Sequence, residues 1–178
     1  MRIISGSRRG HKLFEFEGMK IRPTTDRVKE SLFNLIQDYV DESSVLDAFA
    51  GSGALSFEAL SRGAKKCVAL DIDSDSISLI KKNAEALKFS DIEIIQKDAN
   101  DFLSQTNEEF SLIFLDPPSN KGLIEPIIDK IVSRNILSSD GIIVLESDQS
   151  DMHCEFSGLS ILKQKRYGRT YITIYQRG

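Results

Sequence analysis

Cysteine is scarce in this chain: Cys67 and Cys154 are the two thiols among 178 residues. Two cysteines without CxxC spacing exclude a disulfide framework. His153 sits beside Cys154, but no further Cys or His partners suggest a zinc site, so no metal is expected. Four prolines and eleven glycines are too few for a collagen-like or low-complexity chain. Apolar runs are short, and none approaches the roughly 20 residues of a membrane-spanning helix. The stretch from Met1 to Arg9 has no apolar core of a signal peptide. No spacing of Ser, His and Asp suggests a nucleophilic triad. These absences lead to the expectation of a cytoplasmic protein with no membrane partner.

What is present is globular composition, with 40% hydrophobic and 28% charged residues. A chain of this length forms one domain with a substantial core. The net charge of −4 hides an asymmetry. Residues 1–29 carry eight basic residues against three acids, a balance of +5, and the remainder carries 15 against 24, a balance of −9. The basic head points toward nucleic acid. On charge alone, a solvated charged face is the simpler reading.

The first 25 residues hold short β-like pieces, Arg2 to Ile4 and Lys12 to Phe16, broken by glycines, and read as a small hairpin or arm. Thr24 or Thr25 caps a helix over 26–38, with Asp26 at the positive end of its dipole. From residue 44 strand and helix alternate. Strands are expected at Val45–Phe49, Cys67–Leu70, Ile92–Ile95, Leu112–Leu115 and Ile142–Leu145, with a helix holding Leu55, Phe57, Ala59 and Leu60 after the first and further helices at 74–88, 99–104 and 123–134. Two further strands, Leu159–Lys163 and Thr170–Tyr175, close the chain as a hairpin. The alternation implies βαβ crossovers and an α/β fold with a doubly wound, mostly parallel sheet, the hairpin adding antiparallel strands at one edge.

Four segments carry candidate chemistry, each at the carboxyl end of a strand, where such sheets bind ligands. Asp47-Ala48-Phe49-Ala50-Gly51-Ser52-Gly53 is a glycine-containing strand-to-helix turn that lets backbone approach a ligand. A tight turn without a ligand explains this segment equally well. Asp71 lies 18 residues after Gly53 and suits ribose hydroxyls, or solvent. Asp98, followed by Ala99, is a ligand carboxylate or an N-cap for the next helix. Asp116-Pro117-Pro118-Ser119 is the most specific. The prolines remove two N–H donors, leaving the Asp116 carboxylate and nearby carbonyls as acceptors that can hold an exocyclic amine and aim its lone pair.

Together these motifs resemble those of class I S-adenosyl-L-methionine-dependent methyltransferases acting on amino nitrogens. Arg2 to Gly6, Arg8-Arg9-Gly10, the block Arg22 to Asn34, Phe49 to Leu55, Glu58 to Ala64 and Tyr167-Gly168 are similar to the RsmD family. That family methylates N2 of one guanosine in bacterial 16S ribosomal RNA. The resemblance covers nearly the whole chain, and the 22–34 block carries its specificity.

The resemblance implies a Rossmann-like, seven-stranded class I methyltransferase domain over 1–178. A small N-terminal β/helix extension, basic and spanning 1–40, precedes a cofactor-binding core at 44–178. It implies that Asp47 with Phe49, Ala50, Gly51, Ser52 and Gly53 holds the methionine part of S-adenosyl-L-methionine. Asp71 would hold the ribose, Ile72 the adenine face, and Asp98 with Ala99 the adenine amine. Asp116 and the Pro117 carbonyl would grip the guanine amine for direct in-line transfer. Arg8, Arg9, Lys12, Arg22 and Arg27 would grip RNA phosphates. A monomer acting on 16S rRNA, within the small ribosomal subunit or an assembly intermediate, is the expected arrangement.

Two residues depart from the family pattern. Ser56 replaces a common glycine, which reads as a small packing change. Ser119 replaces the aromatic residue that stacks on the target base, a contact worth about 1–3 kcal/mol, so either Phe14, Tyr167 or Tyr171 takes over or the enzyme is slow. Lys163, Lys165, Arg166 and Arg169 form a second basic cluster, suited to RNA or to solvent. Other readings are an adenine-N6 methyltransferase, a non-enzymatic RNA-binding assembly factor and a nicotinamide dehydrogenase.

Overall fold

The computed structural model describes residues 1–17, 25–118, 122–148 and 155–178. Lys20, Arg22, Pro23, Thr24, Ser119, His153 and Cys154, which the sequence singled out, lie outside the described residues.

Thr25 caps the first helix, α1 (Asp26–Leu35), and its hydroxyl oxygen accepts the Val28 N–H at 3.2 Å. The helix stops three residues earlier than its apolar spacing suggests. Ile36 leaves helical geometry and a 3₁₀ turn at Gln37–Tyr39 follows. The chain then alternates β1 (Ser44–Asp47), α2 (Ala54–Ser61), β2 (Lys66–Asp71), α3 (Ser74–Leu87), β3 (Ile92–Gln96), α4 (Ala99–Gln105), β4 (Phe110–Leu115), α5 (Ile124–Ser133), β5 (Leu137–Asp148), β6 (Leu159–Tyr167) and β7 (Thr170–Arg177).

Seven strands form one sheet in the order β3-β2-β1-β4-β5-β7-β6. The first five are parallel, and β7 runs antiparallel between β5 and β6. This is the mostly parallel sheet with an antiparallel edge expected from the pattern. Strand β5 begins five residues before its apolar run. Ser138, Ser139 and Asp140 hide its start, although Leu137 already pairs with Phe110.

Each central strand feeds two cores, which explains its continuous apolar run. Val45, Leu112 and Phe114 pack with α1, α2 and α3 on one face. Leu46, Ile113 and Leu115 pack with α4 and α5 on the other. No helix among the described residues is long and apolar enough to cross a membrane.

The N-terminal arm is a hairpin-like loop with one antiparallel bridge, Arg2 to Lys12. Ile3 and Leu13 are buried in the α1–α3 core. Its fold-back is fastened to α2: the Ser7 N–H donates to the Ser61 carbonyl at 2.7 Å and the Arg8 N–H to the Ser61 hydroxyl at 2.9 Å. At Gly6, with φ +90°, a Cβ would stand 1.8 Å from the Ser61 carbonyl oxygen, so only glycine fits.

Candidate active site

The sheet changes direction between β1 and β4: from β1 the chain works outward through β2 and β3, then returns to β1's other side with β4. Loops diverge at that switch point and leave a crevice beyond the strand ends. A cavity of about 990 Å³ lies there, lined by Asp47, Asp71, Asp98 and Asp116, the last residues of β1 and β2 and the residues that follow β3 and β4.

Asp47 is almost completely buried, and its Oδ2 accepts the Ser56 hydroxyl at 2.6 Å. Burial pushes its carboxyl up to about 7, the Ser56 hydrogen bond pulls it back, and the charges of Asp116 and Asp71 push the same way as burial. Ser56 is therefore more than a packing change: its fully buried hydroxyl orients the site's deepest carboxylate.

Asp71 accepts the Gly51 N–H at 2.9 Å through one oxygen and the Asp73 N–H at 2.9 Å through the other. The carboxylate thus fixes the glycine turn, and its remaining lone pairs are left for a ligand. Ile72 follows, 69% exposed, an apolar side chain held in water at the cavity's edge. Asp98 caps α4 by accepting the Asp101 N–H at 3.2 Å, and it also lines the cavity.

Phe49, Ala50, Gly51, Ser52 and Ala99 also line the cavity. Gly51 has φ +58° and a Cβ there would meet open space, so its bare backbone faces the cavity. Gly53 does not line it. Gly53 occupies the N-cap of α2, where a Cβ would meet the Phe57 ring at 2.7 Å.

Asp116, Pro117 and Pro118 border the same cavity. Burial pushes the Asp116 carboxyl up to about 6, and a hydrogen bond with Glu146 of neighbouring β5 opposes the rise. The register that sets Leu115 beside Leu145 brings the next pair, Asp116 and Glu146, side by side.

Sequence reasoning missed Glu15 and Phe16, which close one side of the cavity from the N-terminal arm, and Lys97 and Asn100 beside Asp98. The arm's share had no signal, because lining from a remote segment depends on how the arm docks. Of the rings expected to substitute for the missing aromatic, none lines the cavity. Phe14 lies outside it, while Tyr167 and Tyr171 sit on the β6–β7 hairpin. The rings at the cavity among the described residues are Phe16 and Phe49.

The proposed RNA contacts divide. Arg9, Lys12 and Arg27 are exposed. The Arg8 guanidinium instead donates to the Leu87 and Lys88 carbonyls at 2.6 and 3.3 Å, at the C-terminal end of α3, and lies 4.7 Å from the Phe89 ring centre. It satisfies carbonyls that the helix leaves unpaired. In the second cluster, Lys163 donates to the Leu35 carbonyl, Arg166 to the Gly168 carbonyl, and Lys165 and Arg166 lie over Tyr167 and Tyr171.

The donor set suits a cationic nucleoside. Buried carboxylates match positive charge, Asp71 beside Ile72 matches a ribose next to an apolar ring face, and the Gly51 backbone leaves room for close approach. S-adenosyl-L-methionine has these features, and the residues present fit it.

The family described as conserved hypothetical protein 95 matches residues 1–176. The chain is 39% identical over 180 residues to ribosomal RNA small subunit methyltransferase D of Haemophilus influenzae, covering 99% of this chain and 93% of that protein. It is 34% identical to the protein of that name from Escherichia coli K12, over 99% of this chain and 90% of that one. The solved structure of Escherichia coli yhhF superposes with a TM-score of 0.90 at 32% identity, over 99% and 97% of the two chains.

Proposed function

Since the chain belongs to the family described as conserved hypothetical protein 95, we propose that it is an S-adenosyl-L-methionine-dependent methyltransferase of ribosomal RNA, acting on the exocyclic N2 amine of a guanosine in 16S rRNA. The observation that carries the reading is one cavity with two chemistries on its wall. Asp47, Asp71, Asp98 and the Gly51 turn suit a cationic nucleoside, and Asp116-Pro117-Pro118 across the switch point suits an amine.

The cofactor supplies a methyl group made electrophilic by a sulfonium. Asp47 and the turn through Gly51 and Ser52 hold its methionine end, Asp71 its ribose, and Ile72, Asp98 and Ala99 its base. Asp116 and the Pro117 carbonyl accept the two amine hydrogens, and neither Pro117 nor Pro118 offers an N–H to compete. Fixing both hydrogens directs the nitrogen lone pair, and such orientation supplies most of the rate in a reaction that needs no covalent enzyme intermediate. The nitrogen sheds one proton on methylation. The Asp116 carboxylate, with its affinity for a proton raised by burial, accepts it. Arg9, Lys12 and Arg27 are the phosphate contacts, and a ribosomal RNA substrate places the work in the cytoplasm.

Tritiated methyl transfer to small ribosomal subunits lacking the modification, followed by nucleoside analysis, tests the proposal. Label in N2-methylguanosine, lost in Asp116→Ala while calorimetry still detects cofactor binding, is the expected result. Label in adenosine, or label accepted by free DNA only, refutes it. Undiminished function of Asp116→Ala in subunit assembly, with no transfer by either protein, assigns the chain to assembly instead.

A further inference from the structure

Phe14 is 45% exposed, yet its main chain is among the most firmly held in the arm. Its N–H donates to the side-chain oxygen of Asn83 at 2.7 Å, and its carbonyl accepts from the Asn83 side-chain nitrogen at 3.1 Å. Asn83 lies on α3 and is completely buried, and the neighbouring Leu13 is locked in the core. A buried amide that grips the backbone of an outward-facing ring gives that ring a fixed place on the surface.

The charge around the ring is mostly positive. The Lys82 ammonium lies 4.1 Å from the ring centre, on one side of the ring. Lys81 and Lys88 of the same helix region are exposed, and Lys12 shares the outer side of the extended arm with Phe14. Arg8 adds its charge where it closes the end of α3. Glu85 is the one acid between Lys81 and Lys88, and Glu15, which borders the cofactor cavity, is paired with the Met1 ammonium at 3.0 Å. This basic face contrasts with the acidic remainder of the chain. Phe16, two residues and about 7 Å of extended chain beyond Phe14, lines the cofactor cavity.

We propose that Phe14, the exposed lysines Lys81 and Lys82 of α3, and Lys88 at its C-cap form a docking platform for single-stranded RNA next to the active-site cavity. The Phe14 ring stacks an unpaired base other than the methylated one, and the lysines take the adjoining phosphates. An acidic protein surface matches the lysines but makes no use of a fixed ring. An unpaired nucleotide matches both. The proposal rests on the RNA-methyltransferase reading and extends it to a face, α3, that the sequence did not assign.

The test is fluorescence anisotropy of a labelled single-stranded oligoribonucleotide with the full chain, alongside calorimetry of S-adenosyl-L-methionine. Phe14→Leu keeps apolar bulk and removes the stacking ring. About tenfold weaker RNA binding is expected, with cofactor affinity unchanged and Phe14→Tyr restoring RNA binding. Lys81→Gln with Lys82→Gln should flatten the slope of log K against log salt by about 1.4, the share of two phosphates on a single strand. Unchanged RNA affinity in both variants overturns the platform. Poly-glutamate competing as well as the oligonucleotide assigns the face to an acidic protein and also overturns it. If the unaltered chain methylates guanosine in small subunits while the variants bind RNA normally, the platform alone falls. If the unaltered chain methylates no RNA, the functional reading falls.

Discussion

At the scale of single residues, the site stores unfavourable charge that a ligand relieves. A carboxyl whose folded pKa lies above its unfolded value binds its proton more tightly when folded, so its contribution to stability is greatest at low pH and is lost as the pH rises. For Asp47 the window runs from the ordinary carboxyl value of 3.8 to about 7. Cofactor-free protein should therefore melt at lower temperature at pH 8 than at pH 5.5 through this group. Asp47→Asn should raise the Tm at pH 8 by about 5 °C and weaken S-adenosyl-L-methionine binding more than tenfold. A differential scan with calorimetry checks both, and a variant that melts lower while binding cofactor normally contradicts the assignment. The sequence made Asp47, Asp71, Asp98 and Asp116 legible because strand ends in a parallel sheet are where ligands bind. It left Ser56 and Glu146 obscure, because each acts through a partner brought close by tertiary structure: Asp47 across nine residues of chain, and Asp116 across two strands.

At the scale of elements, the arm is fixed to the core by a buried ionic cluster that no sequence pattern announced. Glu58 accepts from the Ile4 and Ser5 N–H groups at 2.9 and 3.1 Å, from the Lys29 ammonium at 3.1 Å and from the Arg62 guanidinium at 2.8 Å. Lys29 and Glu58 are both completely buried, and burial lowers the Lys29 pKa while the Glu58 charge restrains the fall. Removing one member of such a pair leaves the other uncompensated, so Glu58→Gln should cost about 3–5 kcal/mol in urea unfolding. A loss below about 1 kcal/mol, in the range of an exposed pair, would show that water reaches Lys29. Lys29 read as one more member of the basic head because helical spacing marks a face and not what docks on it.

Asn83 is the second fastening. Asn83→Ala leaves the Phe14 backbone groups without partners, and the general cost of such a loss is about 1–3 kcal/mol. Hydrogen exchange at the Phe14 amide should quicken, and the cofactor Kd should rise severalfold because Glu15 and Phe16 lose their fixed position on the cavity wall. An unchanged Kd with a freely exchanging amide would separate the arm from the cofactor site.

At the scale of the molecule, the fold was the most legible level. Periodicity placed all seven strands of the sheet and their order along the chain, misjudged some ends, and read strand-like pieces in an arm that holds a single bridge. Helix α1 stops early because Ile36 leaves helical dihedrals, and β5 starts early because its first turn of sheet is polar. The molecule separates charge in space: an acidic body around the cavity, and cations on the arm, on α1 and on α3. RNA affinity should therefore fall steeply with salt while cofactor affinity does not. Three phosphate contacts, through Arg9, Lys12 and Arg27, would give about a twentyfold to fortyfold loss between 50 and 200 mM salt. Equal sensitivity of the two ligands would mean that RNA is not held by these cations.

The position of β7 bears on how the chain acquires this shape. The last strand in sequence is next to last in the sheet, and it is the strand that β6 pairs with. Until β7 inserts, β5 exposes an edge carrying Ile143, Val144 and Leu145, and β6 has nothing to pair with. Edges of that kind recruit other chains. Sheet completion is thus a late, non-local event during synthesis, when the final segment emerges, and a chain arrested before Thr170 should be captured by chaperones or aggregate even though its cofactor-binding half is already built.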